Sequence, residues 1–71
     1  IDAKYNLAVM YEFGEGVEQS FEKAYQYYLF AARRDNLESQ IKVAEMYKDG
    51  IGTDTDLDKN AYWLKRIEDS K

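Results

Sequence analysis

The sequence predicts an all-α fold: two helix-turn-helix repeats, four antiparallel helices, stacked as a short solenoid. Three observations carry this. Leu7-Ala8-x-x-Tyr11-x-x-Gly14-x-Gly16 returns as Val43-Ala44-x-x-Tyr47-x-x-Gly50-x-Gly52, a period of 36 residues (50 − 14), and Lys59 follows Lys23 at the same distance. A fixed period of that length marks a solenoid, in which stacking buries what one unit alone leaves exposed. The chain has no Pro, its four Gly all sit in the two G-x-G turns, and Ala, Glu, Lys and Tyr are frequent, a composition that favours helix. Between the turns, apolar residues recur every three to four positions.

The first helix is expected over Asp2–Phe13, on a stripe of Tyr5, Leu7, Ala8 and Tyr11. Gly14-Glu15-Gly16 ends it, because Gly reaches the left-handed conformation that closes a helix. Ser20 stands as N-cap of a second helix over Phe21–Arg34, its hydroxyl available to a free amide of the first turn. Tyr25, Tyr27, Tyr28, Leu29, Phe30, Ala31 and Ala32 make that helix apolar nearly all round, the mark of a helix buried between neighbours. Arg33 and Arg34 suit the negative end of its dipole, and Asp35-Asn36 makes the turn, with Asn36 as the next N-cap. The third helix is expected over Leu37–Asp49, with Ile41, Val43, Ala44, Met46 and Tyr47 apolar. Asp56 caps the fourth, Leu57–Glu68, whose stripe reads Leu57, Ala61, Leu64 with Trp63 and Ile67 beside it, and whose other face is charged.

At 71 residues the chain is one small domain, 1–71, with repeat one over about 1–35 and repeat two over about 36–71. It begins with Ile1 and is read as a segment of a longer array or a processed chain. With no Cys and no His there is no disulfide and almost no basis for a zinc site. Stability rests on aromatic burial: seven Tyr, three Phe and one Trp. A net charge of −4 and a pI near 4.7 argue against nucleic acid or anionic lipid as partner. No apolar run approaches the ~20 residues of a membrane span, so no direct membrane insertion is expected.

Three constellations have plainer readings than the chemistry they suggest. Asp54-x-Asp56-x-Asp58 resembles the opening of a calcium loop, but the sixth and twelfth places hold Lys59 and Lys65 instead of Gly and Glu. Each G-x-G follows a helix and lacks the third Gly of a nucleotide loop, which leaves a repeat turn. Carboxylates such as Glu12, Glu15 and Glu18 are plentiful, yet acid–base work needs a pocket that shifts their pKa values, and no His or Cys offers a nucleophile or base. The reading is no enzyme, no metal and no cofactor.

Ala3-x-x-x-Leu7-Ala8-x-x-Tyr11-x-x-Gly14-x-Gly16-Val17, followed by Lys23-Ala24-x-x-Tyr27-Tyr28-x-x-Ala31-Ala32, resembles the pattern of Sel-one-like repeats (SLR), relatives of tetratricopeptide repeats. The second copy follows with Ser39, Val43, Ala44, Tyr47, Gly50, Gly52 and Thr53, then Lys59, Trp63, Leu64 and Ile67. The chain departs from the pattern at Ala8 and Ala44, where Gly is usual, and at Asp35, which takes the place of a turn Gly. Asn60 and Glu68 replace small Ala residues. With the charged face of the fourth helix, these last departures lead to the expectation that the stack continues before Ile1 and ends near Lys71.

The resemblance implies a right-handed α-solenoid and a non-catalytic scaffold or adaptor that binds a protein or peptide partner. The alternative is a purely structural spacer that packs against neighbouring repeats. By resemblance, the first helix of each repeat lines a concave face. Asp2, Asn6, Val9, Glu12 and Phe13 then line it in one copy, and Glu38, Lys42, Glu45, Lys48 and Asp49 in the other. Val9 and Phe13 supply an apolar spot beside alternating charges, suited to an extended peptide or a partner helix. Asn6, Val9, Glu12, Phe13, Lys42, Glu45, Lys48 and Asp49 are the candidate partner-binding residues. The aromatic set Tyr5, Tyr11, Tyr25, Tyr27, Tyr28, Phe30, Tyr47, Tyr62 and Trp63 could form a recognition surface, but most of these positions lie at core spacing and the set is assigned to the core.

Overall fold

The computed structural model describes residues 2–70. It contains four helices, α1 (Asp2–Phe13), α2 (Phe21–Ala32), α3 (Leu37–Asp49) and α4 (Leu57–Asp69). α1 packs on α2 and α3 on α4, and the two hairpins join where α2 meets α3. This is a short all-α solenoid of two helical hairpins.

The caps form as their residue types dictate. Ser20 Oγ, Asn36 Oδ1 and Asp56 Oδ1 accept from the backbone N–H of Lys23, Ser39 and Lys59 at 3.2, 2.8 and 3.0 Å. Each satisfies one amide that the first turn leaves without a helical partner. α2 stops at Ala32, two residues short of the expected Arg34, because Arg33 to Asp35 already form the turn. Asp35 adopts φ 68°, the conformation expected of the turn Gly it replaces. The loop that ends α3 folds back onto the first repeat. Gly52, at φ +73°, lies so near α2 that an added Cβ would overlap the Phe21 carbonyl oxygen and press on Tyr25 Cβ.

The core runs through all four helices: Ala8, Ala24, Tyr28, Ala32, Val43, Ala44, Met46, Tyr47, Trp63 and Ile67 are buried together. Tyr5, Tyr11, Tyr25, Tyr27 and Leu29 pack against it while half-buried. Small Ala side chains let the helices of a hairpin approach, and the aromatic rings fill the space between hairpins. Gln40 is buried as well, and its Nε2 donates to the Ala32 carbonyl at 3.1 Å, which fastens α3 to the end of α2.

Two expectations about faces are corrected. α2 is not buried all round: Gln26 and Phe30 are exposed, and its fully buried residues are Ala24, Tyr28, Ala31 and Ala32. Phe30 lies outside under the Lys4 ammonium at 5.2 Å and the Arg34 guanidinium at 3.8 Å, cations that cover its ring faces. On α4 the Leu57, Ala61, Leu64 row does not enter the core. Leu57 is 65% and Leu64 51% exposed, Ala61 is exposed too, and Trp63 and Ile67 point inward. Trp63 carries the largest apolar area on this helix, so its burial fixes the rotation of α4 and turns the leucine row outward. The outer surface of α4 is therefore partly apolar. The charged face of this helix was part of the ground for expecting the stack to end there. Tyr62, counted among the core aromatics, is also exposed at 57%.

Candidate interaction surface

Glu12 sits at the centre of the seam between the hairpins. Its Oε1 accepts from Tyr28 Oη at 2.7 Å, and its Oε2 accepts from Lys42 Nζ at 3.1 Å. One carboxylate on α1 thus binds α2 and α3 together. Burial, and then the hydrogen bond to Glu12, push the Tyr28 phenol well above its ordinary value. Beside it, the Glu38 carboxylate of α3 raises the Tyr5 phenol of α1. Further along, the hydroxyls of Tyr25 and Tyr47 share a hydrogen bond and their rings meet edge to face at 5.6 Å. Both members of the candidate pair Glu12 and Lys42 are therefore committed to each other.

The other candidates take different positions. Val9 is half-buried and packs on the core, whereas Asn6 and Phe13 are exposed, Phe13 at 61%. Glu45, Lys48 and Asp49 are exposed on α3. The side chain of Asp2 lies outside the described residues. The structure joins Glu45 and Lys48 to an open groove between α3 and α4, about 350 Å³ in volume and lined also by Ile41, Ala44, Asn60, Leu64 and Ile67. Asn60 Nδ2 donates to the Ala44 carbonyl at 2.6 Å, so its amide nitrogen is satisfied within the groove.

Sequence reasoning missed Ile41 and Leu64 as surface residues and assigned both to helix stripes. The signal was available in the period. Subtracting 36 from the seven groove positions gives Tyr5, Ala8, Val9, Glu12, Ala24, Tyr28 and Ala31. Of these, Tyr5 and Glu12 meet α3 through Glu38 and Lys42, and Tyr28 donates to Glu12 beside them. The groove is thus the second copy of the surface on which the first hairpin seats α3.

No helix among the described residues is long and apolar enough to cross a membrane. No group of three or more acidic residues is placed to hold a metal ion among them, and Asp56 of the calcium-like run serves as the α4 cap.

The Sel1 repeat pattern matches residues 1–36 and 37–67. Among solved structures, a Sel1 repeat protein from Oxalobacter formigenes superposes with a TM-score of 0.94 at 26% identity, over 99% of this chain and 29% of that one. A protective antigen present in uropathogenic Escherichia coli strains, displaying an SLR fold, superposes with a TM-score of 0.90 at 29% identity, over 97% of this chain and 15% of that one. The chain thus spans less than a third of either protein. Among curated proteins none matches it. Sel1 repeats generally mediate protein–protein interactions and are typically non-catalytic. The repeat period, the two stacked hairpins and a match across both repeats lead to one conclusion: the chain belongs to the Sel1 repeat family.

Proposed function

We propose that this chain is a non-catalytic interaction module that holds a peptide or partner helix on the side lined by α1 and α3, the concave face expected by resemblance. The observation that carries the reading is the exposed Phe13 and half-buried Val9 of α1 together with the exposed charges of Glu45 and Lys48 on α3. An apolar floor with a charged rim binds by burial and selects by charge. Asn6, Phe13 and Asp49 extend the surface along the first helices, with Val9 beneath and the Glu12–Lys42 pair between them.

A structural spacer is the second reading, favoured by the match between groove and seam positions: such a groove also fits a neighbouring repeat. Peptides selected against the 71-residue chain from a display library separate the two. Phe13→Ala and Lys48→Ala are each expected to weaken the selected peptides about tenfold, the scale of an interface anchor, with the circular dichroism spectrum unchanged. Binding that survives both substitutions removes the assignment of this face.

A further inference from the structure

A smaller cleft, about 240 Å³, lies between α2 and α4 and shares no lining residue with the α3–α4 groove. Arg33 of α2 and Lys59 and Arg66 of α4 line it. Tyr47 of α3 and Trp63 of α4, each 4% exposed, form its base. Its walls come from both repeats, so it is complete within the described residues. Three of the chain's ten Lys and Arg line this cleft, and none of its fourteen Asp and Glu do. In a chain of net charge −4, that is a local reversal of sign.

The aromatic residues hold the cations in place. Lys59 Nζ lies 5.6 Å from the centre of the Tyr47 ring, and the Arg66 guanidinium 5.1 Å from that of Trp63. Burial and then the hydrogen bond to Tyr25 raise the Tyr47 phenol, and Arg33 is the cation whose charge opposes the rise, which sets Arg33 beside the phenol. A ring face attracts a cation without consuming its hydrogen-bond donors, so the donors stay available to an anion. Among the described residues Arg33 and Lys59 make no ion pair. Arg66 makes one, donating to Asp35 Oδ1 at 3.3 Å, and the Asp35 side chain is 84% exposed. One edge of the cleft therefore already takes a carboxylate, and holds it loosely. The other carboxylate near Tyr47, Asp56, is engaged with the Lys59 backbone N–H as the α4 cap.

We infer that this cleft binds an acidic segment of a protein partner, with an aspartate or glutamate carboxylate between Arg33 and Lys59 and an apolar side chain against Tyr62. Tyr62 is 57% exposed and lines the cleft beside half-buried Leu29, apolar area that a free inorganic anion leaves unused. Three cations in one cleft of an acidic chain do not follow a phosphate backbone, which needs a continuous basic track. The site is separate from the surface proposed on the α1–α3 side, and either can stand without the other.

The probe is a short peptide of four glutamates around one phenylalanine, compared with the same peptide carrying glutamine for each glutamate. The intact chain is titrated with each. Trp63 is the only tryptophan, so its fluorescence and its indole N–H signal in NMR report on this cleft. The glutamate peptide is expected to bind and to shift the Trp63 signals, and the glutamine peptide to leave them in place. Arg33→Gln and Lys59→Gln are each expected to weaken binding about threefold, the size of an exposed ion pair, and together about tenfold. Lys48→Gln makes the same change in net charge outside the cleft and is expected to leave the affinity unchanged. Asp35→Asn removes the resident carboxylate and is expected to tighten binding about threefold.

No binding at millimolar peptide, or equal binding of the glutamine peptide, overturns the acidic-segment assignment. So does a loss in Lys48→Gln as large as that in Arg33→Gln, which makes the attraction one of overall charge. Inorganic phosphate that displaces the peptide at a concentration below the peptide's own Kd makes the cleft a phosphate site and likewise overturns a carboxylate partner. Peptide binding that survives Phe13→Ala and is lost with Arg33 and Lys59 supports this cleft independently of the α1–α3 surface.

Discussion

Gly16 and Gly52 hold the same place in the two loops, both at positive φ, yet they meet different surroundings. A Cβ on Gly16 would touch only the end of Met10, at 3.7 Å, whereas on Gly52 it would overlap the backbone of Phe21. Gly16→Ala is expected to cost about 1 kcal/mol, from the left-handed backbone alone. Gly52→Ala is expected to cost about 3 kcal/mol, since the two hairpins must also move apart. Urea midpoints of the two variants check the difference, and equal losses would show that the loop does not rest on α2. Both glycines are visible in the sequence as turn residues. Their inequality is not, because the Gly52 constraint comes from Phe21, which is 31 positions earlier (52 − 21).

At the scale of the element, α4 separates spacing from rotation. Leu57, Ala61 and Leu64 form one helical row and Trp63 and Ile67 another, so periodicity alone allows either to face inward. The packed structure buries the second row. Trp63→Ala is accordingly expected to cost about 3–5 kcal/mol, the usual loss for a buried large aromatic. Leu57→Ala is expected to stay within about 0.5 kcal/mol, as for an exposed position. Thermal unfolding of both variants tests the rotation directly. The caps, by contrast, were legible from residue type and position: Ser20, Asn36 and Asp56 each accept the expected amide. Asp56→Ala is expected to remove about 1 kcal/mol, read as a lower melting temperature.

For the molecule as a whole, the tyrosine seam sets a response to alkali. Tyr5, Tyr28 and Tyr47 all have raised phenol pKa values, Tyr5 chiefly through Glu38, Tyr28 and Tyr47 chiefly through burial. A raised folded value means that, above the ordinary value of 10.0, the unfolded chain has released protons that the folded chain still holds. Stability from these groups is fully present below that pH and is lost as pH rises toward the folded values. The melting temperature is expected to hold level from pH 7 to 9 and to fall steadily above pH 10. Tyr28→Phe is expected to flatten the alkaline slope while costing about 1 kcal/mol at neutral pH through its hydrogen bond to Glu12. An unchanged slope would show that the phenol ionises alike in both states.

The sequence by itself determined the repeat period, the four helices to within two residues at each end, the three caps and the family. These follow from local rules: residue types that stop, start or sustain a helix, and a spacing that recurs. The tertiary structure alone decided which residues of the candidate surface are free. Glu12 and Lys42 read as two exposed charges until α3 docks and pairs them across 30 positions of chain. Ile41 and Leu64 read as core until packing leaves both at the surface, Leu64 because the burial of Trp63 fixes the rotation of α4. Helix formation is governed by neighbours three and four residues away, and burial by the neighbours that packing brings together. Only the first of these is written along the chain.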